Sequence, residues 1–265
     1  MNSSTPRALT IAGSDSGAGA GIQADLKTFA AHGVYGTCAI TAVTAQNTLK
    51  VDEVLEMPTS LIESQIDAVV LDIGVDVVKT GMLSSSAIIE VVAAKVKEHN
   101  LRRLVVDPVM VAKGGDRLLQ ETAVDTMREV LLPLATVITP NAPEAGVLVG
   151  KKIETLDDAR SAARELVLMG AKAAIVKGGH LPGPPTDILY DGTEYRAFTS
   201  QRIEGTSTHG TGCTFASAIA ANLAKGMSLR DAASAAKKYV TSAIRNAVPL
   251  GHGHGPLNHF FMLEN

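Results

Sequence analysis

The sequence is poor in cysteine and carries little net charge, and both features narrow what the protein can be. Only Cys38 and Cys213 occur among the 265 residues. Their wide separation gives no sign of a disulfide framework and fits a reducing compartment. The formal net charge is −3, and the 24 basic residues form no cluster. We therefore expect neither nucleic acid nor an anionic membrane among the partners.

Long apolar runs are also missing. The segment Met1–Arg7 has no apolar core of the signal-peptide type, and no later run is long enough to span a bilayer. We therefore expect a cytoplasmic protein. Hydrophobic residues still make up 46% of the chain, enough for a large α/β core. Because no linker, repeat or change of composition divides the chain, we predict a single domain over residues 1–265, with 1–7 as a flexible tail.

Short apolar runs alternate with stretches of helical periodicity almost throughout the chain. The predicted strands are 8–12, 36–43, 75–79, 104–109, 136–139 and 173–176, followed by a hairpin of 188–190 and 194–198. The predicted helices have apolar faces within 22–29, 61–73 and 88–96, and others cover 118–132, 155–169, 213–226 and 228–248. This alternation is typical of the α/β class, with a mostly parallel central sheet covered on both faces.

The glycine-rich loop after the first strand lacks the two common nucleotide-binding fingerprints. Residues 13–21 read Gly-Ser-Asp-Ser-Gly-Ala-Gly-Ala-Gly. A dinucleotide fingerprint beginning at Gly17 and Gly19 would need a glycine where Ile22 stands, and no acidic residue follows at the distance that holds a ribose. A Walker loop would need Gly-Lys-Ser/Thr, which is absent. The strand, loop and helix favour nucleotide binding, but of neither of these types.

The most informative stretch is Thr206–Gly226, in which a polar, glycine-rich segment leads into an apolar helix of small residues. Gly210 and Gly212 allow a tight turn and a close approach to a ligand. A helix start presents free N–H groups and partial positive charge, which suit an anion. The same field would lower the pKa of the Cys213 thiol. The alternative is a glycine loop entering a core helix, with Cys213 as a small buried hydrophobe.

Further polar residues follow the ends of the predicted strands. Asp107 lies at the end of one strand, where it suits a metal or phosphate site; the alternative is an ordinary strand-end turn. Lys177 follows another strand, where it suits a phosphate; the alternative is a solvated loop lysine. Glu144 suits Mg²⁺, although an Asn141 cap with Glu144 three residues later is also an ordinary capping box. Parallel strands end along one crevice. We therefore expect these residues to meet and to form the parts needed for phosphoryl transfer.

Two other segments each allow two interpretations, a binding site or a simple loop. Thr44–Thr48, Thr-Ala-Gln-Asn-Thr, either faces a ligand at a strand end or forms an ordinary turn. Gly251–Pro256, Gly-His-Gly-His-Gly-Pro, places two histidines two residues apart. Zinc would need a further ligand that the sequence does not supply nearby, so we favour a flexible glycine loop.

Nine segments together resemble the hydroxymethylpyrimidine/phosphomethylpyrimidine kinases of thiamine biosynthesis, within the ribokinase-like superfamily. The segments are 8–17, 20–29, 44–48, 79–83, 106–113, 139–145, 177–180, 208–214 and 253–256. They extend over nearly the whole chain. One departure is Ala18, where many relatives have a third consecutive glycine, and we expect it to stiffen the loop. The resemblance implies a ribokinase-like three-layer α/β/α fold and a homodimer.

The resemblance also implies roles for individual residues. The implied catalytic set is Cys213, Gly210, Thr211, Gly212 and Lys177, with Cys213 as the base for the substrate hydroxyl where many superfamily relatives carry aspartate. The implied substrate-binding residues are Gln46, Gly13, Asp25, Met82 and Val109. ATP would be bound by Lys177, Gly178, Gly179, Asn141 and Thr208, and Mg²⁺ by Glu144 and Asp107 through water.

The implied reaction has two steps in one pocket. ATP first phosphorylates 4-amino-5-hydroxymethyl-2-methylpyrimidine and then converts its monophosphate to the diphosphate, a step whose acceptor is already ionised. A pyridoxal or pyridoxine kinase, or an enzyme with both activities, is the nearest alternative. Gln46 argues for the pyrimidine because a carboxamide suits an aminopyrimidine edge, and it leaves dual activity open. A non-catalytic binder is the other alternative, and it would not need Lys177, Glu144 and Cys213 together.

Overall fold

The computed structural model describes residues 5–110, 118–120 and 122–263, which form a nine-stranded sheet with helices on both faces. The strands are β1 (Arg7–Asp15), β2 (Tyr35–Gln46), β3 (Val51–Glu56), β4 (Val77–Thr80), β5 (Leu104–Val106), β6 (Val137–Ile138), β7 (Ala174–Val176), β8 (Thr186–Tyr190) and β9 (Tyr195–Thr199). The helices are α1 (Gly21–Ala31), α2 (Thr59–Ala68), α3 (Ser86–Glu98), α4 (Ala123–Thr126), α5 (Ala142–Val149), α6 (Leu156–Leu168), α7 (Thr211–Ala224) and α8 (Leu229–Arg245). None of the described helices is both long and apolar enough to cross a membrane.

The sheet order is β3-β2-β1-β4-β5-β6-β7-β8-β9. Every pair from β2 to β7 is parallel, whereas β3 pairs antiparallel at one edge and the β8–β9 hairpin does so at the other. The predicted mostly parallel sheet is therefore confirmed. Because the parallel strands share one direction, their C-terminal ends lie along one side of the molecule.

Two apolar cores lie on opposite faces of the sheet. Val78 and Val106 belong to the core under α2–α6, whereas their neighbours Val77 and Val105 belong to the core under α1, α7 and α8. Successive strand residues point to opposite faces, so these short all-apolar strands serve both layers. The predicted three-layer α/β/α arrangement is confirmed.

Helix α7 lies deep in the second of these cores. Every residue from Thr214 to Leu223 is buried, and most are alanine or other small residues. Small side chains allow the helix to lie close to the sheet on one side and to α1 and α8 on the other. The depth of α7 carries its first turn to the ends of β1, β4 and β5.

Some predicted bounds were wrong. Strand β3 was not predicted, because its residues are almost all exposed and show no buried alternating face. Arg7, expected in a flexible tail, begins β1, and its guanidinium lies 3.1 Å from Asp76. Strand β5 ends at Val106 rather than at 109, since Pro108 cannot donate a ladder hydrogen bond. The helix expected over 118–132 begins at Ala123.

Several predictions fall partly outside the described residues. Residues 1–4 of the predicted tail lie outside, as does residue 121 of the predicted helix over 118–132. The same holds for residues 111–113 of the family-like segment 106–113.

A buried ion pair holds the centre of the fold together. Lys79 Nζ on β4 lies 2.9 Å from Asp25 Oδ2 on α1, and both side chains are 0% exposed. Thr10 on β1 and Ser217 on α7 each donate a 2.6 Å hydrogen bond to Asp25. Burial disfavours the charged ammonium, but the attraction of Asp25 outweighs it and raises the pKa of Lys79. One carboxylate thus connects two strands and two helices.

We predict that Asp25→Ala lowers the free energy of unfolding by about 3–5 kcal/mol, because it leaves an ammonium buried without a partner. Adding Lys79→Met should restore much of the loss, since the double variant buries no charge there. Urea denaturation at neutral pH measures both. Lys151→Ala is the control: it breaks the exposed Lys151–Glu165 pair and should barely move the midpoint. A loss for Asp25→Ala as small as that of the control contradicts the prediction.

Candidate active site

A cavity of about 1120 Å³ opens along the side of the sheet where the parallel strands end. The predicted site residues that line it are Gly13, Gln46, Met82, Asp107, Val109, Asn141, Glu144, Lys177, Gly179, Thr208, Gly210, Thr211, Gly212 and Cys213. They come from the C-terminal ends of β1 and β2, from the segments that follow β4, β5, β6 and β7, and from the start of α7 with the residues just before it. The expectation that residues at separate strand ends meet in one crevice is confirmed.

Two glycines at the start of α7 leave space for different neighbours, and the backbone conformation requires glycine at the first of them. Gly210, the N-cap, has φ +78°, and a Cβ there would lie 1.8 Å from the carbonyl oxygen of Gly19. A Cβ at Gly212 would lie 3.1 Å from Lys177 Nζ and 3.7 Å from Asp107 Oδ2. The helix start therefore opens directly towards an ammonium group. Free N–H groups and a lysine facing the same space suit a phosphate.

Lys177 and Asp107 form a pair at the ends of β7 and β5. Lys177 Nζ donates to Asp107 Oδ1 at 2.9 Å, and Thr139 Oγ1 donates to the same oxygen at 3.3 Å. Burial disfavours the charge on Lys177, but Asp107 and Glu144 outweigh it and raise the pKa of the ammonium. Lys177 is therefore a largely buried cation at the cavity, with 14% of its side chain exposed, and its alternative as a solvated loop lysine is wrong.

Asn141 and Glu144 form the capping box of α5. The ordinary capping interpretation of these two residues is therefore correct. Asn141 Oδ1 accepts from Glu144 N at 2.9 Å, and Glu144 Oε2 accepts from Asn141 N at 2.7 Å. The same box holds Glu144 on the cavity wall. Burial raises the pKa of Glu144 to about 7; Asp107 adds to the effect and Lys177 opposes it. Two carboxylates thus face one ammonium, so this wall is short of positive charge.

That shortage fits a divalent cation. Mg²⁺ takes carboxylate oxygens and keeps several waters, and Asp107 and Glu144 offer such oxygens beside the place suited to a phosphate. Within the described part of the chain, the one cluster of three ligating side chains is elsewhere, at Asp67, Glu98 and His99. Lys95 already lies within it, 2.8 Å from Asp67 and 3.0 Å from Glu98.

Cys213 is the third residue of α7 and is partly exposed. The prediction that the helix start lowers the pKa of its thiol is wrong. Burial is the largest influence and raises that pKa to about 12. The charges of Asp25 and Asp107 add to the increase, whereas the Lys79 ammonium and the backbone N–H of Gly21 oppose it. Desolvation, with two carboxylates nearby, therefore dominates the pKa of this thiol.

Gln46 ends β2 and faces the cavity. Its backbone is fixed on the first glycine loop: Ser16 Oγ donates to Gln46 O at 2.7 Å and accepts from Gln46 N at 2.8 Å. Across the cavity, Met82 lies against Gly13, where a Cβ would be 3.2 Å from the methionine sulfur. Gly13 thus leaves room between the strand ends and Met82. The Thr44–Thr48 segment is a cavity wall rather than only a turn.

Two predicted site residues do not line the cavity. Asp25 is fully buried in the ion pair with Lys79, so the expectation that it belongs to the substrate pocket has to be corrected. Gly178 packs against β8, where a Cβ would lie 2.0 Å from the carbonyl oxygen of Thr186. Its N–H donates to Asp187 Oδ1 at 3.0 Å. Gly178 therefore sets the path of the chain between Lys177 and Gly179.

The first glycine loop explains the departure at position 18. Ala18 has φ +59°, a left-handed conformation that favours glycine, and its N–H donates to Asp15 O at 2.9 Å. The tight turn therefore forms with alanine, at some conformational cost. The expected stiffening of the loop stays a prediction.

Sequence reasoning missed several cavity residues, above all His209, Asp15 and His254. His209 Nε2 lies 2.8 Å from Asp15 Oδ2. The segment Gly251–Pro256 is bound to the site rather than free: His254 N donates to Thr48 O at 2.8 Å, and His209 N donates to the carbonyl oxygen of Gly255 at 3.0 Å. The expected flexible loop is wrong. The position of His209 inside the family-like segment 208–214 was the available signal.

Comparison with known proteins agrees with this geometry. A family model described as phosphomethylpyrimidine kinase matches residues 15–258. The chain is 54% identical over 258 residues to the thiamine biosynthesis bifunctional protein ThiED of Geobacter sulfurreducens, covering 97% of this chain and 53%, about half, of that protein. It is 51% identical to the hydroxymethylpyrimidine/phosphomethylpyrimidine kinase of Bacillus subtilis, covering 98% of this chain and 96% of the other.

Solved structures include an ADP complex of Bacillus subtilis pyridoxal kinase, which is 43% identical with a TM-score of 0.92, covering 99% of this chain and 100% of that one. The match therefore spans the whole sheet and both helical layers. On the family model and the near-complete similarity to these kinases, the chain belongs to the phosphomethylpyrimidine kinase family.

Proposed function

We propose that this chain, acting as a single domain, is an ATP-dependent kinase of thiamine biosynthesis. It phosphorylates 4-amino-5-hydroxymethyl-2-methylpyrimidine to the monophosphate and then to the diphosphate. The main support for this proposal is that the start of α7, Lys177 and the Gln46 carboxamide all face one cavity. An anion site and a group suited to an aminopyrimidine edge thus share one space. Family membership and the names of the relatives support the same reaction.

The nucleotide end of the site is formed by Lys177 and the turn that follows it. Lys177 and the N–H groups of residues 210–213 hold the transferring phosphoryl group and stabilise its charge. Gly179, Asn141 and Thr208 border the nucleotide, while Gly178 orients the turn through Asp187. Asp107 and Glu144 would hold Mg²⁺, partly through water. When bound, the ion neutralises phosphate charge.

At the substrate end, Gln46 pairs with the aminopyrimidine edge while Gly13, Met82 and Val109 enclose the ring. Cys213 accepts the proton of the hydroxymethyl group as its oxygen attacks the phosphoryl group. The raised pKa of this thiol means that only its thiolate fraction acts, and Lys79 beneath it favours that fraction. The second acceptor is a phosphate oxygen, which needs no base. Asp25 supports Cys213 through its pair with Lys79, which is fully buried and borders the cavity.

The first experiment measures ADP release with the pyrimidine, its monophosphate and pyridoxal as separate acceptors. We expect turnover of both pyrimidine compounds. Pyridoxal kinase is the second candidate function, favoured by the TM-score of 0.92 to a pyridoxal kinase. Turnover of pyridoxal alone would replace the proposal with that function. Binding of the pyrimidine and ATP without ADP release would instead support a non-catalytic binder.

Cys213→Ala separates a base from a packing residue. We expect the rate of alcohol phosphorylation to fall by about 10²-fold or more, because a positioned base is lost. Phosphorylation of the monophosphate should fall much less, since its nucleophile is already ionised. The measurement is the ratio of the two rates in wild type and variant. An unchanged ratio contradicts the role of Cys213 as the base.

The wild-type alcohol step should also respond to pH. Because the pKa of Cys213 is raised to about 12, its thiolate fraction grows about tenfold with each pH unit near neutrality. The alcohol step should therefore accelerate as pH rises above 7, whereas the monophosphate step should not share this increase. The Cys213→Ala variant should lose it. A pH-independent alcohol step in wild type argues against this assignment.

Gly212→Val tests the anion site. The added side chain enters the space between the α7 start and Lys177, so both phosphorylations should fall by about 10²-fold or more, with the fold retained. Ala224→Val, at the partly exposed end of the same helix, is the control for a β-branched residue in α7. Steady-state rates and thermal melting are compared for both. Normal turnover by a folded Gly212→Val refutes the placement.

We also propose a homodimer in the cytoplasm. Strand β3 is an edge strand, and the apolar side chains of Val54 and Leu55 on it are 41% and 63% exposed. An exposed apolar edge favours a second copy as partner. Sedimentation equilibrium should give twice the chain mass, and a monomer at micromolar concentration contradicts the dimer. Cys38 and Cys213 are both free, as in a reducing compartment, and cell fractionation tests that location.

A further inference from the structure

Asp15 and His209 form a buried pair on the cavity wall, next to Gln46. Asp15 is 3% exposed and His209 is 8% exposed. The carboxylate accepts backbone N–H groups from Gly17 at 2.8 Å, Gly19 at 3.1 Å and Ala20 at 2.8 Å. His209 Nε2 lies 2.8 Å from Oδ2 of the same carboxylate. The mechanism described above gives this pair no role.

The surroundings of Asp15 determine which nitrogen of His209 carries a proton. Burial raises the pKa of Asp15, but the hydrogen bonds from His209 and the backbone amides outweigh it, so the pKa is lowered overall. Asp15 is thus ionised at neutral pH. An ionised oxygen at 2.8 Å from Nε2 requires a hydrogen between them, since two lone pairs would repel. Nε2 is therefore a donor towards Asp15.

This proton restricts the carboxamide of Gln46. Its nitrogen lies 3.3 Å from Nε2 of His209, and its oxygen lies 3.2 Å from Thr44 Oγ1. Two N–H donors cannot bond to one another. A half-turn about the last torsion exchanges the two ends without changing the shape. The oxygen then faces the Nε2–H of His209 and shares its single hydrogen with Asp15 as the second, longer acceptor. The nitrogen donates to Thr44 Oγ1, whose own hydrogen goes to Ser14 O at 3.1 Å.

We propose that His209, held by Asp15, is a positioning and specificity-determining residue that fixes the carboxamide of Gln46 in this one orientation. Each end of the amide keeps one free position, so the ligand meets an acceptor on the His209 side and a donor on the Thr44 side. That order matches a ring with an exocyclic amine beside a ring nitrogen. The inference rests on the proposed function and deepens its substrate selectivity.

The segment Gly251–Pro256 and the first glycine loop hold the imidazole in place. His209 donates its backbone N–H to the carbonyl oxygen of Gly255 and forms a bridge with Pro256. On the other side, a Cβ at Gly19 would lie 2.2 Å from Cδ2 of His209. The ring is thus confined between two glycine-rich segments. This gives the histidine- and glycine-rich segment a role without a metal.

A double-mutant cycle tests the proposal in the full-length protein. The variants are His209→Phe, Gln46→Met and their combination, assayed for kcat/KM with the pyrimidine and for KM with ATP. We expect His209→Phe to lower kcat/KM for the pyrimidine about tenfold or more, mainly through KM, with a smaller effect on the KM for ATP. In the Gln46→Met background the same change should cost less than about threefold. His209→Gln, which keeps a side-chain N–H, should recover most of the loss.

Additive losses in the cycle, or an equal loss by His209→Gln and His209→Phe, overturn the proposal and leave His209 a structural residue. If His209→Phe does not fold, Thr44→Val takes its place in the cycle, because it removes the partner at the other end of the carboxamide. Additivity of Thr44→Val with Gln46→Met overturns the proposal equally. A wild type that does not phosphorylate the pyrimidine refutes the proposed function before any variant is measured. Wild-type turnover with additive variants refutes this inference alone.

Discussion

The arrangement of the site depends on the buried contact between Asp25 and Lys79. A charge removed from water is tolerated only beside its partner. Separating α1 from β4 would leave two buried charges without partners, which costs a large electrostatic free energy. Ser217 bonds to the same carboxylate and lies one helical turn after Cys213 on α7. The start of α7 is therefore held over the pair. The same interaction that stabilises the fold also places a positive charge close to the Cys213 thiol.

The electrostatics of the cavity also explain why a thiol suits position 213. Asp25 and Asp107 both act on this position, and Glu144 adds a third acidic group beside Asp107 and Lys177. An aspartate at this position would add another negative charge beside these carboxylates. A protonated thiol contributes no charge at rest. The cost is a small thiolate fraction, which Lys79 partly offsets.

Local signals were sufficient to predict most of the fold and the assembly of the cavity. Apolar runs of strand length and a shared strand direction place Asp107, Lys177 and the α7 start together without knowledge of any contact. Properties that depend on distant neighbours were not predictable. The thiol pKa depends on desolvation by groups from several elements. Asp25 was assigned to the pocket by the family resemblance, and its partner Lys79, 54 residues further along the chain, gives no local signal of the ion pair. Strand β3 was missed since an exposed edge strand has no apolar pattern.

Gly13, near the start of the chain, and the segment Gly251–Pro256, near its end, both border the cavity. The cavity therefore joins chain regions separated by nearly the whole sequence. Contacts of such wide separation form late, because a long loop must close before they contribute stability. A partly folded chain can contain the sheet and the α7 start and still lack a finished pocket. During synthesis, ligand binding therefore has to wait until the segment carrying His254 has left the ribosome and docked on Thr48.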